Sequence, residues 1–404
     1  MAKIAIIGFG VVGSGVYEVI KTNFESIAEK AGENVDIKYI LDIRDFSSHP
    51  DSHMFVDNFD VILNDDEVSV VVETIGGLEP GYTYTKKALA RGKHVVTSNK
   101  ELVATYGDEL LQLAKDNSVN YLFEASVGGG IPIIRPLNQC LTANEINKIV
   151  GILNGTTNYI LTKMIKEGMD FETVLKDAQE KGYAERNPAA DVEGHDACRK
   201  ICILASLASG KYVDYTKVST EGITNISLED VSYASKMDSV IKLLGYCSFE
   251  GEQFDIKVCP MIISNEHPLS HVDDVFNGIL VQGNAIGDAV FYGRGAGKLP
   301  TASAVVADVI DAVKHIDKNK WIMWKKTSDE VIKDIGECAT KMFVRVGAKE
   351  ANAEIEKVFG KVTFVSLTEN ETAFVTESMK ENDINEKLNS LPCKVISKIR
   401  VLAD

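Results

Sequence analysis

The sequence predicts an α/β protein: a doubly wound parallel sheet first, an α+β segment in the middle, and a βαββαβ unit at the C-terminus. Three observations carry this reading. The chain opens on a continuous apolar strand that runs into glycine-punctuated turn and helix, "KIAIIGFGVVGSGVYEVI". Apolar strands then alternate with helical patterns to about residue 130, as in parallel sheets whose strands are buried on both faces. From about residue 337 the patterns come in the order strand, helix, strand, strand, helix, strand, that of a ferredoxin-like unit.

The first turn, Gly8-Phe9-Gly10-Val11-Val12-Gly13, is GxGxxG between a strand and a helix. Gly8 permits the tight turn, Gly10 lets a pyrophosphate approach the backbone, and Gly13 lets helix and strand pack closely. The phosphates then sit on free N–H groups at the helix N-terminus. This is a Rossmann-type dinucleotide site. "VDIKYILDIRDFSSH" should end the second strand with the residue that reads the ribose. Asp42 would accept from a 2′-hydroxyl and favour NAD(H); Arg44 would pair a 2′-phosphate and favour NADP(H). Both are present; NADP(H) is the preferred reading, because Arg44-Asp45 falls where the loop should cover the ribose. Ligands bind beyond the carboxyl ends of such strands, which selects Thr74-Ile75-Gly76-Gly77, Ser98-Asn99-Lys100 and the loop from Ser126.

From about residue 131 the pattern changes. The turn Asn154-Gly155-Thr156-Thr157-Asn158 leads into a helix, either as a cap or as the polar wall of a pocket. A helix over 171–181 stops at Gly182, and a loop around Asn187-Pro188 leads to "DVEGHDACRK". Asp196 and Lys200 are spaced i,i+4 and share a helix face. A surface ion pair would explain those two; it explains the loop carboxylates Glu185 and Asp191 poorly.

The bulk numbers exclude several classes. A net charge of -16 argues against nucleic acid and anionic membranes as partners. No apolar run approaches the roughly 18 residues of a membrane span, and no signal-peptide pattern precedes the first strand, so a cytoplasmic protein is expected. Seven cysteines without a CxxC pair point to reduced thiols and no structural zinc.

Several motifs combine into a resemblance. "GYAERNPAADVEGHDACRK" is very similar to the signature of homoserine dehydrogenases, and "GILNGTTNYIL", "TSNKELVA", "EASVGGGIPII" and "GRGAGKLPTASAVVADVI" resemble the same family, in family order over about residues 1–318. The resemblance implies NAD(P)-dependent interconversion of L-homoserine and L-aspartate 4-semialdehyde, in threonine and methionine synthesis. It implies a catalytic lysine at Lys200 and a second lysine at the cofactor–substrate junction at Lys100. Substrate would be bound by Glu185 and Asp196, and Gly182 and Gly297 would close over the cofactor. From the chemistry of the substrate, Lys100 and the Thr156 turn suit its carboxylate, and Asp191 is a second choice beside Glu185 and Asp196 for its ammonium group. Glu124, Val127, Gly129 and Ile131 match a monovalent-cation site, largely of backbone carbonyls and usually filled by sodium. His195 departs from the family pattern, where an apolar residue is usual. A homodimer is implied too.

The domains expected are 1–130 with 301–318 for the dinucleotide, 131–300 for substrate and dimerisation, a linker over 319–336, and an ACT-like domain over 337–404. The usual ACT ligand loop is replaced by "GAKEANAEI", which puts amino-acid feedback in question. Two other functions stand beside the main one: a different semialdehyde or amino-acid dehydrogenase, and an amino-acid sensor on the same scaffold. The sensor fits poorly, because Lys100, Glu185, Asp196 and Lys200 are intact whereas the ACT ligand loop is the degraded part.

Overall fold

The computed structural model describes every residue except Ser328, Asp329, Glu369 and Asp404, together with the side chain of Glu250. Glu369 and Asp404 of the expected ACT-like domain, and Ser328 and Asp329 of the expected linker, thus lie outside the described residues. The chain forms two compact units.

The first comprises Met1–Glu145, Cys202–Tyr215 and Gly293–Ser328. Its sheet has six strands: β1 (Ala2–Ile7), β2 (Val35–Leu41), β3 (Phe55–Val56), β4 (Val68–Glu73), β5 (His94–Thr97) and β6 (Tyr121–Leu122). They lie in the order β3-β2-β1-β4-β5-β6, and every pairing is parallel. Ile4, Ile6, Val70, Val72 and Val96 are fully buried, as strands covered on both faces require. The strand order reverses between β1 and β4, where the crevice of an open α/β sheet lies. The helix Lys298–Lys314 packs on the helix Val11–Thr22, and a side chain on Gly15 would meet Lys298 O at 2.8 Å.

The stretch expected as a linker carries a buried anchor, Trp324. Trp324 is fully buried, its ring 5.5 Å from that of Phe123, and a Cβ on Gly107 would overlap it. An indole carries too much apolar surface to be left in solvent when a glycine opens room for it.

The second unit comprises Ile146–Ile201, Thr216–Tyr292 and Asp329–Asp404. Its strands are β7 (Ile146–Ile152), β8 (Ser219–Thr220), β9 (Ser239–Glu250), β10 (Gln253–Ser264), β11 (Phe276–Gly283), β12 (Gly287–Arg294), β13 (Ala339–Val346), β14 (Val362–Val365), β15 (Thr372–Thr376), β16 (Met379–Lys380) and β17 (Val395–Val401). The main path runs β12-β11-β7-β9-β10-β17-β13-β15-β14. Strands β17-β13-β15-β14 are mutually antiparallel, with the helices Asn352–Phe359 and Glu381–Asn389 in the ferredoxin-like connection.

The sequence sets this C-terminal stretch apart. In the structure β17 pairs in parallel with β10, Met261 opposite Arg400 and Ile262 opposite Val401, so one sheet runs through both segments. Charge reinforces the join. Arg400 donates to Glu381 (2.7 and 2.9 Å) and to Glu221 (2.7 Å), the latter on the segment that follows β8.

Candidate active site

The nucleotide loop comes first in the chain. Thr74 N donates to Ile7 O at 2.9 Å, so the ends of β1 and β4 are stitched together. The Thr74 hydroxyl donates toward Gly8 O at 2.8 Å. A Cβ on Gly13 would overlap the Gly8 carbonyl oxygen, which is why only glycine fits there. Gly8 has φ 93, in the left-handed region that glycine tolerates. Gly10 differs: a Cβ there would meet nothing within 4 Å. It is the N-cap of the helix Val11–Thr22, whose end carries no side-chain cap. Open space over uncapped N–H groups is a cradle that fits a pyrophosphate.

Asp42 and Arg44, weighed as alternatives from sequence, bind each other. Asp42 accepts from Phe9 N (2.7 Å), from Arg44 N (3.0 Å) and from the Arg44 guanidinium (2.9 Å). Those donors hold the Asp42 carboxyl far below the ordinary range, the Arg44 side chain first. Arg44 also donates to Phe9 O at 2.8 Å and lies over the Phe46 ring at 5.2 Å. The Arg44 side chain is 57% exposed and that of Asp42 8%, so the cation covers the carboxylate. Phe9, buried, packs edge-on against Tyr17, Phe46, His49 and Phe55, giving the loop a rigid aromatic floor. Val11 is exposed at the helix start and Val12 half-buried beside it.

A second network organises the neighbouring loops. Glu73, fully buried at the end of β4, accepts from Ile75 N at 2.8 Å and from the Thr97 hydroxyl at 2.5 Å. Thr97 Oγ1 accepts from Asn99 N (2.9 Å), and Asn99 Nδ2 donates to Gly77 O (2.6 Å). Asn99 also caps the helix Lys100–Asp116 through Leu102 N, so the network sets where Ser98 and Lys100 stand. Burial pushes the Glu73 carboxyl up, against these donors. Sequence reading passed over Glu73; an acid closing an apolar strand is its only local signal.

The loop from Glu124 to Ile131 belongs to the same unit. The Glu124 carboxylate accepts from Ile133 N, Ile134 N and Arg135 N at 2.6, 2.8 and 2.9 Å. It is committed to those donors, so toward a cation Glu124 has its main-chain oxygen to offer. Gly129 has φ 58, and a Cβ on it would overlap the Gly295 carbonyl. Gly130 N donates to Arg294 O at 3.1 Å, which fixes the Val127–Ile131 turn against the glycine-rich segment ahead of Gly297. Gly297 itself has φ 121 and caps the helix Lys298–Lys314.

The second unit holds the charged cluster. Lys200 is buried and donates to Asp196 Oδ2 and Leu153 O, both at 2.7 Å. Asp196 is buried as well, so this i,i+4 pair is no surface salt bridge. Asn154 Nδ2 donates to Asp191 Oδ1 (2.7 Å) and to Asp196 Oδ2 (2.9 Å). Burial raises the Asp191 carboxyl above the ordinary range, and the charge of Asp196 adds to it. Asn154 also caps the helix Gly155–Glu167, accepting from Thr157 N at 2.9 Å. The cap reading holds for Asn154, whose amide also bridges the two acids.

Not every expected residue joins the cluster. The Thr156 hydroxyl stands at its edge: it donates to Tyr183 O at 2.7 Å and also faces the Asp191 carboxylate, which it helps keep ionised. Glu185 is exposed on the loop after the helix Phe171–Glu180, and its main-chain oxygen accepts from Gln179 Nε2 at 3.1 Å. Its charge is too well hydrated there to be drawn among buried acids. Gly182 has φ 74 and open space around its Cα. His195 and Glu193 pair with each other at 3.2 Å on the surface, outside the cluster.

Two family models cover most of this chain: "Homoserine dehydrogenase, NAD binding domain" over residues 8–124 and "Homoserine dehydrogenase" over residues 132–310. A homoserine dehydrogenase of Pseudomonas aeruginosa is 37% identical over 407 residues, covering 98% of this chain and 91% of the relative. The chain belongs to the homoserine dehydrogenase family. A Bacillus subtilis homoserine dehydrogenase is 43% identical over 78% of this chain and 73% of its own length. The crystal structure of a homoserine dehydrogenase from Thiobacillus denitrificans superposes with a TM-score of 0.91, at 34% identity, covering 99% of this chain and 98% of that one. A hyperthermophilic archaeal homoserine dehydrogenase in complex with NADPH matches with a TM-score of 0.66 at 30% identity, over 77% of this chain and 97% of that one. As a homoserine dehydrogenase the protein is an oxidoreductase with a nicotinamide cofactor and a small-molecule substrate. Among the described residues no helix is long and apolar enough to cross a membrane.

Proposed function

We propose that the enzyme interconverts L-aspartate 4-semialdehyde and L-homoserine, with Lys200 as the group that moves the proton. The buried Lys200–Asp196 pair, anchored on Leu153 O, carries this reading. A nicotinamide dinucleotide held on the Gly8–Gly13 loop supplies or accepts the hydride. In reduction the aldehyde carbon gains a hydride and its oxygen needs a proton. The Lys200 ammonium hydrogen-bonds the carbonyl oxygen, polarises it and gives its proton to the forming alkoxide. In oxidation the neutral amine takes the hydroxyl proton back. Asp196 positions Lys200, and Asp191 beside it suits the substrate ammonium group. Glu185 belongs to the same task by family resemblance, from its exposed loop. The first N–H groups of the helix Gly155–Glu167, with Thr156, suit its carboxylate. Lys100, opening the helix Lys100–Asp116, is the second lysine of the reaction.

NADP(H) is the preferred cofactor in this reading, because the exposed member of the Asp42–Arg44 pair is the cation. The main-chain oxygens of Glu124, Val127, Gly129 and Ile131 are hard donors suited to sodium, and the enzyme works as a homodimer in the cytoplasm.

The test is oxidation of NADPH with L-aspartate 4-semialdehyde as substrate, repeated with NADH; no oxidation with either ends the reading. Arg44→Ala is expected to raise KM for NADPH on the order of 10-fold or more, by loss of a charged hydrogen bond, with KM for NADH unchanged or lower. Equal effects on the two cofactors would remove Arg44 from the 2′-phosphate.

A further inference from the structure

The acid–lysine cluster contains a neutral side chain that the chemistry above does not use. Asn154 stands at its centre with every polar group engaged. Its amide oxygen accepts from Thr157 N (2.9 Å) and the Thr157 hydroxyl (3.0 Å). Its two N–H bonds go to two different carboxylates, Asp191 and Asp196. We propose that Asn154 is a positioning residue that divides the two acids between two tasks, keeping Asp196 on Lys200 and holding Asp191, beside Thr156, for the substrate ammonium group. This rests on the reading of Lys200 as the proton-transferring group.

The argument is one of charge and donors. Asp191 and Asp196 stand on different elements, the short helix Ala189–Val192 and the helix His195–Ser209, and their charges repel. Lys200 donates to Asp196 Oδ2 and to Leu153 O, and its charge also favours the ionised form of Asp191. A neutral double donor is what lets the second carboxylate remain beside the first. Asparagine is the side chain that meets all the demands of this position. It caps a helix and donates twice, whereas aspartate caps without donating and serine caps but donates once. Leu153 and Asn154 are adjacent, so one turn of chain grips the lysine through its carbonyl and both acids through its amide.

The groups facing Asp191 are Asp196 and Lys200 from the helix His195–Ser209, and Asn154 and Thr156 from the start of the helix Gly155–Glu167. Asn154 lowers the Asp191 carboxyl against the combined effect of burial and Asp196. Removing the amide therefore raises it further. A carboxylate that must be ionised to bind an ammonium group then fails at higher pH, and the acid limb of kcat/KM moves upward for the semialdehyde, the direction in which Lys200 must be protonated and so sets only the basic limb.

The test uses the full-length enzyme with Asn154→Ser and Asn154→Asp, both of which can still cap the helix. The helix cap should hold in both, and the melting temperature should fall modestly in the serine variant and further in the aspartate variant, which adds a third buried carboxyl. KM for L-homoserine should rise on the order of 10-fold, KM for NADPH should hold, and the acid limb should move up by about one pH unit in the serine variant and further in the aspartate variant. An unchanged acid limb and unchanged KM for homoserine in both variants would overturn the proposal. So would a loss confined to kcat together with a lowered melting temperature, the mark of a cap and nothing more. Lys200→Ala run in parallel separates the two levels: normal turnover there removes the underlying mechanism, whereas an inactive Lys200→Ala beside a wild-type-like Asn154→Ser removes only the role given to Asn154.

Discussion

Replacing Lys200 by alanine is expected to lower kcat by about 10²- to 10⁴-fold, the range of a general acid–base group, while leaving the NADPH dissociation constant unchanged. The side chain donates to Asp196 and Leu153 O from a buried position, so nothing in bulk solvent can take over its task directly. Alanine also leaves Asp196 buried opposite no cation, which costs roughly 3–5 kcal/mol when one partner of a buried pair is removed. A fold control is therefore needed. Lys200→Arg keeps a cation on Asp196 but replaces an ammonium by a guanidinium that stays protonated at working pH. It should retain most of the stability and lose the turnover. Steady-state rates, NADPH titration by fluorescence and thermal melting check all three points. Near-normal turnover in a folded alanine variant would sink the proton-transfer role.

A stability effect of the same size is expected at Arg345 on β13, away from the proposed chemistry. Its guanidinium donates to Asp230 (2.8 Å), Ser227 Oγ (3.1 Å) and the Glu371 carboxylate (2.9 and 3.1 Å), and lies 5.4 Å from the Tyr233 ring centre. Asp230 closes the capping box of the helix Leu228–Lys236 and is fully buried. Arg345 thus ties the C-terminal strands to a helix of the preceding segment through two acids at once. Arg345→Leu leaves both acids facing an apolar side chain. The expected loss is about 3–5 kcal/mol in urea unfolding, with Glu371→Gln losing less because the arginine keeps Asp230. An unchanged unfolding midpoint for Arg345→Leu would show that the acids rehydrate freely, and that the arginine does not hold these segments together.

Much of the site was legible because its signals are local. GxGxxG between strand and helix needs only the next few residues: the left-handed Gly8 turn and the close packing at Gly13 follow from backbone sterics. The i,i+4 spacing put Asp196 and Lys200 on one face, and the Asn154 cap followed from residue type and position. The partners of these residues were not legible. Whether Asp196–Lys200 is a surface pair or a buried one depends on Leu153 O and Asn154, 47 and 42 positions away in sequence. Asp42 and Arg44 looked like rivals for a ribose and are each other's partners, because the Phe9 N–H and carbonyl, 33 and 35 positions away, bind one each. Glu185 was placed with the acids by resemblance, yet its loop leaves it in solvent.

The sequence alone determined the parallel sheet, the nucleotide loop and the βαββαβ order, since hydrophobic period, glycine placement and capping act within a few residues and are written into the local chain. Only the tertiary structure decided that β17 pairs with β10, that Trp324 is buried, that Arg44 covers Asp42, and that Asn154 stands between Asp191 and Asp196. Those outcomes depend on which distant segments exclude water from one another. Burial is what turns an ordinary charge into a paired, positioned one, and burial belongs to the assembled chain rather than to any stretch of it.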